Sequence, residues 1–198
     1  MIFLYLCLGY LLGAIPFALL IGKIFYHTDI RQHGSGNLGG TNAGRVLGKK
    51  AGIAVIFCDV MKCVLAIYIV SLFDKEASIW VGLAACIGHC YPIFAQFKGG
   101  KAVSCMFGFL VAVSLFTVNN IFCLLIPFIA FMICLYLSKM VSLSSMVAAV
   151  TSTLCMIFFK VSPSIIAASF LMAVLVIYRH KSNIVKIKNG TENKVKWL

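Results

Sequence analysis

Seven apolar runs dominate this chain and leave little choice of fold. They cover residues 2–25, 52–73, 78–96, 102–118, 121–138, 141–159 and 163–179. A helix that spans a bilayer needs about 20 predominantly apolar residues. The runs are continuous rather than alternating, which favours helices over a β-barrel. We therefore predict an all-α integral membrane protein with about seven transmembrane helices, or five or six if the short third and fourth runs do not cross.

Composition supports the same class. Hydrophobic residues make up 62% of the chain and charged residues only 11%, whereas a soluble domain usually carries about 25% charged residues. No linker divides the chain, so we expect residues 1–198 to form a single polytopic domain. The first cation is Lys23, and the first run therefore reads as a span rather than a cleaved signal peptide.

The positions of Lys and Arg predict the orientation. With the N-terminus outside, 14 of the 17 basic residues fall in cytoplasmic segments. Lys75 and Lys160 fall outside, and Lys62 lies within a span. Because cytoplasmic loops carry the excess of positive charge, we expect the N-terminus outside and the C-terminus in the cytoplasm. This layout in short loops also argues against nucleic acid as the partner of a net charge of +12.

The first polar cluster is Gly34–Arg45, in which five glycines alternate with five polar donors. Glycine lets backbone N–H groups turn toward an anion, and a guanidinium binds phosphate with a fixed fork. A helix that begins near Thr41 or Asn42 would strengthen such a site. The alternative is a flexible loop with one basic residue. We expect substrate contacts from Gly34, Ser35, Gly36, Asn37, Gly39, Thr41, Asn42 and Arg45.

Two familiar phosphate motifs are excluded for this cluster. The chain has no Gly-x-x-x-x-Gly-Lys-Ser/Thr sequence, so the loop is not a Walker A loop. A dinucleotide fingerprint needs a preceding strand, and here an apolar helix is predicted before the loop.

The second cluster runs from Gly88 to Ala102 and contains His89, Lys98, Gly99, Gly100 and Lys101. Lysine is a compact cation suited to phosphate oxygens, and a glycine pair permits close approach of the backbone. Taken alone, the segment is equally compatible with an ordinary positive-inside loop. His89 taken alone is more typical of a packed polar residue than of a base.

The third cluster begins at Arg179-His180-Lys181 and ends at Glu192. Its alternative is a basic juxtamembrane tail attracted to anionic lipid. His180 and Asn183 are spaced i, i+3, so on a continuing helix they would share a face. Lipid attraction needs cations, and it does not explain an imidazole and an amide.

Other polar groups receive structural readings. Asp59 and Lys62 are spaced i, i+3 within a span, where charges are costly, and we predict an ion pair rather than a catalytic acid. The nine cysteines show no paired spacing and read as small hydrophobic residues. We predict neither a metal site nor a cofactor.

In their order and spacing, the three clusters resemble the PlsY family of bacterial acyl-phosphate:glycerol-3-phosphate acyltransferases. The first is similar to Gly-Ser-Gly-Asn-x-Gly-Ala-Thr-Asn-x-x-Arg, the second to Gly-His-x-x-Pro with Phe-Lys-Gly-Gly-Lys-Gly. The third is similar to Arg-His-x-x-Asn-Ile followed by Gly-x-Glu. The chain departs from the usual residues at Gly40, Cys63, Ala102, Cys105 and Lys186.

The resemblance implies transfer of an acyl group from acyl phosphate to the 1-hydroxyl of sn-glycerol 3-phosphate, giving lysophosphatidate and phosphate. It implies a bacterial cytoplasmic membrane, an active site facing the cytoplasm, membrane lipid around the chain and a separate acyl-phosphate synthase. Ser35, Arg45 and Lys101 are expected to hold phosphate, and His180 and Asn183 to orient glycerol 3-phosphate. Further substrate contacts are expected from His89, Lys98, Gly99, Gly100 and Glu192. His89, His180 or the phosphate of the donor could take the proton.

Two other functions remain as alternatives. An acyltransferase that uses acyl-CoA or acyl carrier protein through a His-x-x-x-x-Asp motif is disfavoured, because no Asp lies five residues after any histidine. A transporter of phosphate or phosphate esters would also use a basic, glycine-rich site. Such a site is expected near the membrane midplane, whereas these clusters are predicted at one face.

Overall fold

The computed structural model describes residues 1–195, and it contains helices and no strand across those residues. Each of the seven apolar runs contains a helix, so the all-α prediction is confirmed. The α-helices are α1 (Ile2–Gly13), α2 (Phe17–Tyr26), α3 (Gly40–Val46), α4 (Lys49–Ser71), α5 (Lys75–Cys90), α6 (Val103–Ala112), α7 (Phe122–Ser138), α8 (Val141–Phe158), α9 (Pro163–Arg179) and α10 (Lys181–Lys188). Ile30–Gln32 and Ile93–Ala95 are short 3₁₀ turns, and Val113–Thr117 is a π-helical turn.

Not every helix is long enough to cross a bilayer alone. Within the described residues, four stretches have the length and apolar character of a span, namely Ile2–Tyr26, Lys49–Ser71, Lys75–Ala95 and Val141–Phe158. A fifth is obtained if α9 and α10, which are bent by 58°, count as one broken span. Val103–Thr117 and Phe122–Ser138 are shorter apolar helices. The number of seven and the orientation therefore stay predictions.

The chain divides into two compact units, one formed by Met1–Ala112 and the other by the residues from Val113 onward. In the first unit, α1 and α5 pack so closely that their backbones touch. A Cβ on Gly13 would collide with the backbone of Ala85, and one on Gly88 would collide with the Tyr10 carbonyl. Small residues permit this close approach of membrane helices. It carries the Tyr10 hydroxyl to the carbonyl of Tyr91, 2.8 Å away at the end of α5.

A proline breaks the first apolar run between α1 and α2. Pro16 has no N–H and disfavours a helical residue before it. The Leu19 N–H donates to the Pro16 carbonyl, and the Ile15 carbonyl accepts from the Phe17 N–H at 3.2 Å instead. The ammonium of Lys62 from α4 donates to that carbonyl at 2.9 Å. The buried lysine therefore adds a second hydrogen bond to the backbone at the helix break.

Apolar anchors hold the glycine-rich loop to the first unit. Ile30 and Leu38 flank the loop, and both are buried in one cluster with Ala43 of α3, Val55 of α4 and Ala95. Ala95 belongs to the 3₁₀ turn before the second polar cluster. Hydrophobic burial thus fixes both ends of the first loop and the start of the second.

In the second unit, α8 packs between α7 and α9. The hydroxyl of Ser169 on α9 lies 3.2 Å from that of Ser152 and 3.3 Å from that of Thr153, both on α8. Such hydroxyl pairs join helices where apolar packing alone does not select a partner. Farther along the chain, the backbone N–H of Val195 donates to the carbonyl of Lys139 at 2.8 Å.

Candidate functional site

Asn42 organises the first loop from within. Its side chain is buried, and its amide nitrogen donates to the carbonyls of His33 at 3.2 Å and Ile30 at 3.4 Å. Its amide oxygen accepts the backbone N–H of Ser35 at 2.9 Å. Because both donors and the oxygen are already engaged, the contacts favour a positioning role for Asn42 over direct substrate contact.

The loop turns on two glycines with left-handed backbone. Gly34 has φ +62° and Gly36 has φ +67°, a region that side chains make unfavourable. A Cβ on Gly34 would also strike the amide oxygen of Asn42. These two glycines therefore shape the loop around Asn42. The helix after the loop, α3, begins at Gly40, one or two residues before the predicted start at Thr41 or Asn42.

Four donors of the first cluster remain available for a ligand. Ser35, Asn37, Thr41 and Arg45 make no side-chain hydrogen bond or ion pair to another residue among those described, and Ser35, Thr41 and Arg45 are exposed. Two hydroxyls, one amide and one guanidinium on a loop of restrained backbone are suited to an anion with several oxygens. That these four donors contact substrate stays a prediction, and the contacts of Asn42 favour support of the loop over substrate contact.

The second cluster is built around a buried histidine. The side chain of His89 is enclosed, and its Nδ1 lies 3.0 Å from Lys62 Nζ and 3.5 Å from Asp59 Oδ1. Lys62 Nζ lies 2.7 Å from Asp59 Oδ1, so the predicted ion pair within the span is confirmed. These contacts favour a packing role for His89 over substrate binding or base catalysis.

Gly99 and Gly100 pack directly against His89. A Cβ on Gly100 would collide with the His89 ring, and one on Gly99 would collide with the His89 carbonyl. The backbone N–H of Gly100 donates to the same carbonyl at 3.0 Å. Both glycines are buried, so close packing on His89 explains them as well as close approach of phosphate would. Lys98 is exposed and Lys101 is half-buried beyond them.

Ala102 stands where the family usually has glycine, and its backbone is left-handed. Its φ is +62° and its side chain is fully buried. The chain therefore keeps the glycine-type conformation with an alanine, at a cost of about 1–2 kcal/mol for the methyl group. The substituted cysteines are also buried: the Cys105 thiol donates to the Asp59 carbonyl at 3.3 Å, and the Cys63 thiol donates to that of Gly82 at 3.9 Å.

The third cluster lies in the second unit, and its helix does not continue as a straight rod. α9 ends at Arg179, α10 begins at Lys181, and the two are bent by 58° with His180 at the break. His180 is the N-cap of α10, and its carbonyl accepts from the Ile184 N–H at 2.9 Å, so the face expected to be shared by His180 and Asn183 stays a prediction. His180 is buried, and its Nδ1 lies 2.7 Å from the Val176 carbonyl.

A carboxylate holds Asn183 in place. Glu192 Oε1 accepts from the Asn183 amide and from the Ser142 hydroxyl, both at 2.7 Å. Glu192, predicted to contact substrate, thus has two protein partners and supports Asn183. Ser142 is a member of this group that sequence reasoning missed, because it lies 50 residues from Glu192 within an apolar helix.

Sequence reasoning also missed the pair formed by Asp29 and Arg31. The Arg31 guanidinium donates to Asp29 through Nη2 at 2.6 Å and Nε at 3.0 Å. The hydrogen bond from the guanidinium is the main cause that lowers the pKa of the Asp29 carboxyl from 3.8 to about 2. The Asp-x-Arg spacing immediately before the glycine-rich loop was the available signal for this pair.

Comparison with known proteins agrees with the clusters over almost the whole chain. The sequence model of the family described as glycerol-3-phosphate acyltransferase matches residues 3–190. The glycerol-3-phosphate acyltransferase of Geobacillus kaustophilus is 48% identical over 195 residues, covering 98% of this chain and 96% of the relative. That of Macrococcus caseolyticus is 46% identical over 196 residues, covering 98% and 97%.

Solved structures give the same result for the fold. The crystal structure of PlsY, an integral membrane glycerol 3-phosphate acyltransferase, in its glycerol 3-phosphate form has a TM-score of 0.91 to this chain. The identity is 32%, with 98% of this chain and 95% of that chain covered. The lysophosphatidic acid form has a TM-score of 0.87 at 31% identity. The predicted class, an all-α integral membrane protein, is thereby confirmed, and the chain belongs to the glycerol-3-phosphate acyltransferase family, as a PlsY-type member.

Proposed function

We propose that this chain transfers an acyl group from acyl phosphate to the 1-hydroxyl of sn-glycerol 3-phosphate. The bond between the acyl carbon and the phosphate oxygen breaks, an ester bond forms, and lysophosphatidate and inorganic phosphate leave. The observation that carries the proposal is the family match across residues 3–190. A restrained loop with four unengaged donors supports it.

The chemistry asks the protein chiefly to hold anions together. Both substrates carry phosphate, so they repel each other until cations and N–H or O–H donors compensate their charge. We assign this work to Ser35, Arg45 and Lys101, with Lys98, Asn37 and Thr41 as further contacts. An acyl phosphate is already activated, so proximity and electrostatic stabilisation are sufficient without a covalent enzyme intermediate.

We assign the orientation of glycerol 3-phosphate to His180 and Asn183. A carbonyl can only accept, so His180 Nδ1 donates to Val176, and in the neutral ring Nε2 carries the lone pair. That nitrogen suits a base or an acceptor for the substrate hydroxyl. The phosphate of the donor is the other candidate for the proton, while His89 is disfavoured because its Nδ1 faces the Lys62–Asp59 pair and its ring packs against Gly100.

The setting follows from the family and from the charge pattern. The relatives described above are bacterial, and the positive-inside bias supports a cytoplasmic position for the three clusters. We propose that the chain lies in the bacterial cytoplasmic membrane with its active site facing the cytoplasm. A separate acyl-phosphate synthase would supply the donor.

The test is an assay of the purified chain in lipid vesicles with labelled glycerol 3-phosphate and one acyl donor at a time. Lysophosphatidate is expected with acyl phosphate and not with acyl-CoA or acyl carrier protein. Product formed only with acyl-CoA would overturn the choice of donor. Accumulation of labelled glycerol 3-phosphate inside the vesicles without acylated product would favour the transporter.

A variant pair assigns the activity to the first loop. Ser35→Ala removes a hydroxyl with no partner among the described residues, and loss of one hydrogen bond to a charged group should lower kcat/KM by about 10- to 100-fold. The matched control is Ser71→Ala, whose exposed hydroxyl donates to the Tyr68 carbonyl of its own helix at 2.7 Å. Equal activity of the two variants would contradict a role for Ser35.

A further inference from the structure

A polar cavity lies in the first unit beside the glycine-rich loop. Its volume is about 320 Å³, and it is lined by Asp29, Arg31, Gln32, Gly36, Gln96 and Lys98. No apolar side chain contributes to this wall, although 62% of the chain is hydrophobic. The cavity therefore suits a small, strongly hydrated ligand rather than an acyl chain.

The charged residues of the wall favour an anion. Asp29 is already compensated, since both of its carboxylate oxygens accept from Arg31. These bonds use Nε and Nη2 of the guanidinium and orient it, while Nη1 makes no hydrogen bond within the described part of the chain. Lys98 adds a second cation that has no ion pair among the described residues. Two cations against one carboxylate leave the wall with a positive charge.

Two amides complete the donor set. Gln32 and Gln96 are the two glutamines of the whole sequence, and both line this cavity. Neither side chain hydrogen-bonds to another residue in the region described. Gln96 has φ +56° and Phe97 has φ +59°. Left-handed backbone at consecutive non-glycine residues is costly and clusters at functional sites. The strain at Gln96 therefore also supports a functional role for this cavity.

We propose that this cavity is a phosphate subsite, in which Arg31, Lys98, Gln32 and Gln96 bind a phosphate dianion. Ser35, Arg45 and Lys101 do not line it, so it is separate from those three contacts, and Lys98 is the residue that it shares with the phosphate contacts assigned above. The ligand is inorganic phosphate or the phosphate of a small monoester such as glycerol 3-phosphate. The choice of these two ligands rests on the proposed function. Occupancy of the cavity does not depend on it, because binding is measured without turnover.

The experiment measures equilibrium binding of radiolabelled inorganic phosphate to the purified full-length chain in detergent. Ser35→Ala/Arg45→Gln serves as the background, because it lacks two of the catalytic phosphate contacts. On this background Lys98→Gln removes a cation, and Gln32→Glu adds a negative charge to the cavity wall while Asp29 and Arg31 themselves stay unchanged. Each should weaken phosphate binding about tenfold or more.

The matched control is Lys50→Gln, which removes an exposed lysine in the first turn of α4 that does not line the cavity. It should leave the phosphate affinity within about twofold of the background. Absence of saturable phosphate binding in the background variant would overturn the subsite. So would equal affinity in the background, Lys98→Gln and Gln32→Glu variants.

A second arm identifies the source of the phosphate. Unlabelled glycerol 3-phosphate that displaces labelled phosphate from the background variant, and does so less well from Gln32→Glu, assigns the cavity to the substrate. Competition by inorganic phosphate alone assigns it to the product. Failure of acyl transfer with intact cavity binding would overturn the proposed function alone, and unaltered binding in both cavity variants would overturn the subsite alone.

Discussion

Gly34→Ala tests whether the first loop depends on its support by Asn42. The new methyl group would sit on left-handed backbone, with φ +62°, and would strike the Asn42 amide oxygen. That amide is restrained by the carbonyls of Ile30 and His33. Relief of the collision therefore breaks the hydrogen bond that the Ser35 N–H donates to the amide oxygen.

The magnitude follows from these contacts. Left-handed strain costs about 1–2 kcal/mol, and the lost hydrogen bond costs about 0.5–1.5 kcal/mol. Alanine also restricts the unfolded chain, which offsets about 0.4–1 kcal/mol of this cost. We therefore expect the free energy of unfolding to fall by about 1–2.5 kcal/mol. Displacement of Ser35 should also lower kcat/KM of acyl transfer about tenfold or more.

The assay compares thermal unfolding in detergent with acyl transfer for Gly34→Ala and Gly190→Ala. Gly190 has φ +68°, and a Cβ there would meet nothing within 4 Å. Gly190→Ala therefore bears the backbone cost alone, about 1 kcal/mol or less after the effect on the unfolded chain. An equal fall in Tm and in activity for the two variants would refute the role of Asn42 in holding Ser35.

Three further predictions address other contacts. Asp59→Asn leaves Lys62 buried without its charge partner, and we expect it to destabilise the fold by about 3–5 kcal/mol. The double variant Asp59→Asn/Lys62→Met removes both charges and should lose less stability. Unfolding in detergent measures both losses, and a larger loss in the double variant would contradict the prediction. Because the folded pKa of Asp29 is about 2 against an ordinary 3.8, its pair adds stability above pH 3.8 that disappears as the pH falls through about 2. Asp29→Asn should flatten that part of a stability–pH curve, and an unchanged curve would exclude the pair as its cause. Glu192→Gln keeps the shape of the side chain but weakens its hydrogen bond with the Asn183 amide, so kcat/KM should fall about tenfold. Glu192→Asp restores the charge and should recover part of the activity. Full activity of the glutamine variant would contradict a supporting role for Glu192.

Helices and their local ion pair were predictable because their signals are local. Continuous apolar runs select helices in a bilayer, and each predicted run contains one. The spacing of Asp59 and Lys62 places them one turn apart on α4, where the salt bridge forms at 2.7 Å. The start of α3 at Gly40 was predictable to within one or two residues, since Gly, Thr and Asn are favoured at the N-cap of a helix.

Partners far apart in the chain were not predictable. The reading of His89 changed because α4 brings Lys62 to it from 27 residues away, and that packing, in turn, requires Gly99 and Gly100. Ser142 joins Glu192 across 50 residues for a similar reason. Composition alone cannot distinguish a donor that binds substrate from one whose hydrogen bonds are made within the protein, as those of Asn42 are.

By itself, the sequence determined that this chain folds as membrane helices with three polar clusters of a recognisable family, because hydropathy and motif order are properties of neighbouring residues. Only the tertiary structure decided which polar groups of those clusters remain available. It left Ser35 and Arg45 unengaged, enclosed Asn42 and His89, and opened a cavity between Arg31 and Lys98. The physical reason is that the burial of a polar group and the number of its hydrogen-bond partners depend on which helices pack together. That packing cannot be inferred from any one segment of the sequence.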